Sequence, residues 1–412
     1  MMNSSPPPSS SWCHEPSSPS FSSVPDEIAA NCLARVSKSQ YRSISSVSKG
    51  FYSLLSSPEI YAARSQIGAT EPRLYLCCES LRTATTSCCY SWYNLMSLSN
   101  CDDDERIKKG EAFISVDWGE IKINSELRLV PVKLSSSHLR ARSKQANLAV
   151  GSEIYQFGGI SNKGNRSRSV CVFNCRSHTQ SRAPKMRVTR EGARACLLAG
   201  SIYVMGGCRD KECWGEVFDI KTQTWKKELL PSPTGDDEFD CKFELFVLGA
   251  MIYVITERNK YAYDPKQGRW LLLDMGFADL KRILKIGTVW CVLDNIVFME
   301  FCGIFRWYDL SSGKWLMVEG LTDLLYTKVE CLYRMVQLVN YGGKLLIVWV
   351  VLPDFEYKEP SSIIPEERIW FAVIRLEKRL TSSGLVISGE IEQLNYLVHG
   401  SCNPLTCLSV SL

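Results

Sequence analysis

The side chains most able to do chemistry in this 412-residue chain are arginines. Arg140, Arg142, Arg166, Arg168, Arg187 and Arg190 lie between His138 and Arg194, where 12 Lys or Arg face only Glu153 and Glu191. The net charge is only +4, so the rest of the chain is net acidic. Clustered guanidinium groups suit carboxylates and phosphates, because their planar fork of donors matches a pair of anionic oxygens. A solvated basic surface is the competing reading.

Other chemistries find fewer residues. There are 18 cysteines but no CxxC, and the only histidines are His14, His138, His178 and His399. Tetrahedral zinc needs four N or S ligands at short spacing, and copper needs converging imidazoles. No metal is therefore expected, and the cysteines read as small hydrophobes. No nucleophile elbow, P-loop, Rossmann glycine pattern or HExxH occurs. Catalytic residues and cofactors are accordingly not expected.

The first 20 residues are rich in Ser and Pro, without the apolar core of a signal peptide, and read as a disordered tail. The longest apolar run, Leu345 to Leu352, is far short of the ~20 residues that span a bilayer. Thiols of this number without a leader suggest a cytoplasmic or nuclear location.

The elements that must position the arginines repeat. Phe173-Asn174, Phe218-Asp219, Tyr263-Asp264 and Tyr308-Asp309 follow one another at a step of 45 residues. Six residues after the last three stand Trp225, Trp270 and Trp315, with Gln180 in the first copy. Apolar runs at Ile154 to Phe157, Ile202 to Met205, Ile252 to Ile255 and Ile296 to Met299 precede them. Such a period, with several short strands per copy, predicts a β-propeller.

Gly158-Gly159 and Gly206-Gly207 mark strand ends where positive φ lets the chain turn. A fifth blade is expected from Gly342-Gly343-Lys344 onward. A sixth is composite: Leu74 to Cys78, Trp92 to Leu98 and Leu127 to Leu134, completed by Leu405 to Leu412. Six blades is the expectation, within a range of five to seven.

Because strand direction alternates, loops after the second strands and loops between blades open on one face. That face collects the six arginines, the loop Cys208 to Trp214, and the acidic run Asp236, Asp237, Glu238. It is the candidate binding face.

Ahead of the strands lies a short helical module. Pro25-Asp26-Glu27 starts one helix. Tyr41, Ile44, Val47, Phe51, Leu54 and Leu55 recur at helical spacing, and Ser57-Pro58-Glu59 caps a further helix that stops at Gly68. Three helices are expected.

Val24-Pro25-Asp26-Glu27-Ile28, Leu33-Ala34-Arg35-Val36, Ser46 to Leu55, Ser57-Pro58-Glu59 and Thr70-Glu71-Pro72 together resemble the plant F-box/kelch-repeat family. The Gly-Gly pairs, aromatic-Asp pairs and tryptophans are similar to kelch repeats. Leu-Pro usual in that family is Val24-Pro25 here, and Ala29-Ala30 stand where a bulky residue is common.

The resemblance implies a tail over 1–20, an all-α F-box over 21–68 and an all-β kelch-type propeller over 73–412, with the clearest repeats in 141–320. It implies a non-catalytic substrate-recognition subunit of an SCF-type ubiquitin ligase. Pro25, Ile28, Leu33, Val36, Ile44, Val47, Phe51 and Leu54 match the family's adapter-docking and core positions. Partners would be a Skp-type adapter, through it a cullin, and a target protein on the arginine face. No nucleic acid and no membrane are expected. The alternative is a non-catalytic propeller scaffold that binds a protein or small ligand without ligase assembly.

Overall fold

The computed structural model describes residues 24–80, 89–97, 113–116, 119–122, 127–132, 142–161, 164–233, 243–256, 259–273, 289–301, 303–321, 324, 333–351, 368–382, 384–398 and 402–412. The chain forms two compact units, 1–71 and 72–412. Among the described residues, no helix is long and apolar enough to cross a membrane.

The first unit holds α1 (Asp26–Ala34), α2 (Tyr41–Ser45), α3 (Lys49–Ser56) and α4 (Pro58–Gln66), with a 3-10 turn at Lys38–Gln40. Four helices replace the three expected, because the apolar stretch from Tyr41 to Leu55 is interrupted. Ser48 adopts extended backbone, and its Oγ accepts from Phe51 N at 3.1 Å, which starts a new helix.

Pro25, at φ −54°, precedes α1, and Asp26 and Glu27 sit at the positive end of its dipole. Ala30, Leu33, Ala34, Leu55, Ile60 and Ala63 form the core, with Tyr41, Ile44, Phe51 and Leu54 packed against it.

Arg64 joins the corners of this unit. Its side chain is 1% exposed; Nη1 donates to Ala34 O, Val36 O and Tyr41 Oη, and Nη2 to Glu71 Oε1 at 2.8 Å. It thereby satisfies carbonyls at the end of α1, where a cation also meets the negative pole of the helix. Glu71 accepts from Lys38 N as well. That explains the acid in Thr70-Glu71-Pro72.

The second unit is a six-bladed propeller of four-stranded antiparallel sheets. Blade 1 begins with β1 (Pro72–Ser80) and β2 (Cys89–Ser97); a separate hairpin, β3 (Phe113–Val116) and β4 (Gly119–Lys122), intervenes before β5 (Leu127–Pro131). Blade 2 comprises β6 (Ser143–Val150), β7 (Glu153–Ile160), β8 (Val170–Asn174) and β9 (Thr179–Ala183). Blade 3 comprises β10 (Arg194–Leu198), β11 (Ser201–Met205), β12 (Gly215–Asp219) and β13 (Thr224–Trp225).

Blade 4 comprises β14 (Phe243–Leu248), β15 (Met251–Thr256), β16 (Lys260–Asp264) and β17 (Arg269–Leu272). Blade 5 comprises β18 (Val289–Leu293), β19 (Ile296–Phe301), β20 (Ile304–Asp309) and β21 (Lys314–Met317). Blade 6 comprises β22 (Tyr333–Tyr341), β23 (Lys344–Val351), β24 (Arg368–Thr381) and β25 (Gly384–Val398). The last strand, β26 (Cys402–Ser411), returns to pair with β1, giving blade 1 the order β26-β1-β2-β5.

The first strands of successive blades adjoin, and β26 stands between β22 and β6, so the ring is closed by strand exchange between its ends. Closure leaves no innermost strand with an open neighbour. The seams are apolar: Ile154 and Phe173 of blade 2 pack with Tyr75, Trp92 and Val410 of blade 1. Tyr75 Oη also donates to Cys175 O at 3.1 Å across that seam.

The repeated residues now have causes. Each aromatic of the aromatic-Asp pairs lies opposite the tryptophan on the fourth strand, as in Phe218↔Trp225, Tyr263↔Trp270 and Tyr308↔Trp315, with ring centroids 5.1 Å apart in all three. The adjoining carboxylate or amide holds the turn: Asp219 Oδ1 accepts from Thr222 N at 2.8 Å, and Asp264 Oδ1 from Lys266 N at 2.9 Å.

Trp225 Nε1 donates to Pro184 O and Trp270 Nε1 to Pro231 O, so each ring ties its blade to the preceding loop. The glycine pairs are required by space as well as by φ. A Cβ on Gly158 would lie 2.5 Å from Arg190 O, and one on Gly207 2.7 Å from Glu191 O. In blade 4, where glycines are lost, Thr256 Oγ1 accepts from Asn259 N and donates to Asn259 O.

Candidate functional site

The docking residues expected in the helical unit divide by exposure. Ile28 is 55% and Val47 70% exposed, together with Tyr52 at 62%. Pro25 is exposed and Val36 half-buried. Leu33 is buried, and Ile44, Phe51 and Leu54 pack on the same core. Leu33 therefore serves the core of the unit. Ala29 and Ala30 also point inward, so their small size answers to packing between helices.

The arginines of the propeller divide too. Arg140 lies outside the described residues, as do Asp236, Asp237 and Glu238. Arg190 is removed from the candidate face altogether: its side chain is 0% exposed. Its Nε and Nη2 donate to Glu216 Oε1, Nη1 to Gly206 O and Trp214 O, and Nη2 to Cys213 O. A guanidinium whose donors all meet internal acceptors belongs to the framework.

Arg187 is exposed, with Nη1 bonded to Lys227 O, while Glu216 Oε2 accepts from its backbone N.

Arg142, Arg166 and Arg168 do come together. The loop from β7 to β8 and the loop from blade 2 to blade 3 are sewn to each other: Arg190 N donates to Ser167 O and Met186 N to Arg168 O. Between them and the strands β8 and β9 opens a cleft of about 380 Å³, lined by the three arginines with Ser167, Ser169, Cys171, Arg182, Lys185 and Thr189.

Arg142 Nη1 donates to Ser167 Oγ and to Ser169 Oγ, and the two hydroxyls are 2.9 Å apart. Burial pushes the Cys171 thiol up, against the opposing pull of Arg142 and Arg182. At the rim Glu191 accepts from Lys144 Nζ at 2.7 Å and from Arg166 Nε at 3.2 Å. The Lys144 hydrogen bond holds that carboxyl below its ordinary range.

Arg182 and Lys185 were missed by sequence reasoning. Arg182 sits on a strand, opposite Cys171 in the β8–β9 register, so it does not show as a loop residue. Strand alternation from Gln180 was the available signal, since residues two apart share a sheet face.

The loop Cys208 to Trp214 is partly structural. Trp214 is buried against Phe243 and Trp270, at centroid distances of 5.4 and 5.7 Å. Arg209, Asp210 and Glu212 are its exposed part. Among the described residues, no group of three or more His, Cys, Asp or Glu is placed to hold a metal ion.

Comparison with known proteins agrees with this geometry. Residues 92–398 match the family described as FKB95, kelch-repeats domain, and residues 21–62 match the F-box domain. Three Arabidopsis thaliana proteins that carry the F-box/kelch-repeat name are similar over nearly their whole length. One is 45% identical over 93% of this chain and 90% of its own. The second is 36% identical, covering 92% and 89%, and the third 36%, covering 99% and 96%.

Proposed function

Because the chain belongs to the F-box/kelch-repeat family, we propose that it is the substrate-recognition subunit of an SCF-type ubiquitin ligase. In this reading the helical unit docks on a Skp-type adapter joined to a cullin, and the propeller holds a target protein. The observation that carries it is the joining, in one chain, of an F-box unit with exposed Ile28, Val47 and Tyr52 to a propeller with a basic cleft.

Large exposed apolar side chains on a small helical unit suit a protein contact. The chain itself makes and breaks no bond. It raises the effective concentration of the target's lysines near a charged conjugating enzyme, and the acceleration comes from proximity. The role would be exercised in the cytoplasm, the nucleus or both.

Co-purification of the full chain with a Skp-type adapter tests the reading. Capture by the wild type, lost in Ile28→Asp with Val47→Asp, is the expected result. No capture by the wild type would sink it and leave a propeller scaffold.

A further inference from the structure

The loop between β11 and β12 carries two cysteines, Cys208 and Cys213. Its ends are fixed. Glu191 N donates to Gly207 O and Gly206 N to Trp214 O, while Arg190 holds Gly206 O, Cys213 O and Trp214 O. Trp214 is itself buried against Phe243. The two cysteines therefore stand at the mouth of a short loop whose base is already closed.

Between the ends the chain turns tightly: Asp210 Oδ1 accepts from Glu212 N at 3.0 Å. Cys208 is folded onto the far side of the loop, where its Sγ donates to Asp210 O at 3.2 Å and to Cys213 O at 3.5 Å. A carbonyl oxygen lies about 2.4 Å from its own Cα, so Cys208 Sγ is within about 6 Å of Cys213 Cα. Disulfides join Cα atoms roughly 4.4–6.8 Å apart, so side-chain rotation with a small adjustment of the loop brings the sulfurs together.

Both residues are half-buried, which leaves them within reach of a small oxidant. By contrast Cys175, Cys196, Cys291 and Cys407 are buried, and the adjacent Cys77 and Cys78 are buried in different hydrophobic clusters.

We propose that Cys208 and Cys213 form a reversible disulfide under hydrogen peroxide, a covalent modification site on the candidate binding face. The Cys208 thiolate attacks one peroxide oxygen, the O–O bond breaks and hydroxide leaves, giving a sulfenic acid. The Cys213 thiolate then attacks the Cys208 sulfur; the S–S bond forms, and the sulfenic hydroxyl leaves as hydroxide. The two hydroxides take up the two thiol protons. Two thiols and one peroxide thus give one disulfide and two waters.

Burial pushes the Cys213 thiol up, and Asp210 and Cys208 add to the effect, which leaves the first step to Cys208. In a reducing compartment such a bond is transient, made under oxidant and undone by thiols. While it lasts it restricts the exposed Arg209, Asp210 and Glu212 to fewer arrangements. The bond forms or fails whether or not the helical unit docks on an adapter, so its test is independent of the ligase reading.

The test treats the full chain with hydrogen peroxide, blocks remaining thiols with iodoacetamide in denaturant, and digests with trypsin. Cleavage after Arg209 and Lys211 leaves Cys208 and Cys213 on separate peptides, held together only by the bond. Mass spectrometry is expected to find these peptides joined, at their summed mass less two hydrogens, and apart after dithiothreitol. In Cys213→Ser, dimedone should trap a sulfenic acid at Cys208; in Cys208→Ser, Cys213 should stay a thiol.

Full alkylation of both cysteines after a peroxide dose that oxidises the exposed Cys32 overturns the proposal. So does the joining of either to a different cysteine, or sulfinic acid at Cys208 with Cys213 still free. Dimedone labelling of Cys213 alone would overturn the order of the steps.

Discussion

Arg190 and Glu216 are joined twice, Nε to Oε1 at 3.1 Å and Nη2 to Oε1 at 3.0 Å, with both side chains out of solvent. The pair sits where blades 2 and 3 meet. Glu216 also accepts from the backbone N of Arg187 and Val188.

Removing one partner leaves a buried charge without its counter-ion. Glu216→Leu is expected to lower stability by roughly 3–5 kcal/mol, the usual cost of a broken buried pair. Urea unfolding followed by tryptophan fluorescence measures it. A loss below about 1 kcal/mol would show that the three backbone carbonyls suffice to hold the guanidinium.

In the helical unit, exposure separates docking from folding. Ile28→Asp with Val47→Asp should abolish adapter capture while circular dichroism and melting stay as in the wild type. Leu33→Asp should cost roughly 3–5 kcal/mol, through lost packing and a buried carboxylate, and unfold the unit. Equal melting of the two variants would contradict the division.

The blade turns give a graded series. Trp225→Phe keeps an aromatic ring but loses the bond to Pro184 O, and should cost about 1 kcal/mol. Trp225→Ala also empties the contacts with Phe157 and Phe218 and should cost about 3 kcal/mol.

Gln223, at φ +56°, occupies the left-handed position that Gly268 and Gly313 fill in blades 4 and 5. Gln223→Gly should therefore stabilise by about 0.5–1 kcal/mol, less than the full left-handed penalty because the bond to Ile220 O is lost. Thermal melts of the three variants check the order.

Alkaline pH should loosen the propeller. Burial pushes the Cys196 and Cys291 thiols up to about 12, and burial raises Cys407 as well. Their folded values lie above the unfolded value of about 8.5, so this part of the stability is fully present below about pH 8.5 and is lost as pH rises from there. Unfolding midpoints should fall between about pH 8.5 and 11, and iodoacetamide should label these positions only as the chain unfolds. Labelling of Cys407 in the native protein near pH 8 would contradict the burial argument.

The period of 45 residues made the propeller legible, because Trp and aromatic-Asp pairs answer to local needs that recur in each blade: a ring against a ring and a turn held by a carboxylate. The composite blade was legible from its apolar end strand. The break between α2 and α3 was not, since both halves keep helical spacing and only the Ser48 cap divides them.

The basic face was legible as charge but not as geometry. Arg190 and Arg142 look alike in sequence, and burial beside Glu216 decides that one is framework and the other lines a cleft. Arg64, the hub of the helical unit, carried no local signal because its partners lie 7 to 30 residues away.

The pairing of Pro72 with Ser411 at the ends of β1 and β26 also sets the order of events at the ribosome. Blade 1 cannot complete its sheet until the chain has been translated through more than 300 intervening residues. Until then the edge of β1 lacks its partner strand and stands open to any other. A chain stopped before Cys402 keeps that open edge and should be cleared or aggregate, even with five blades already folded.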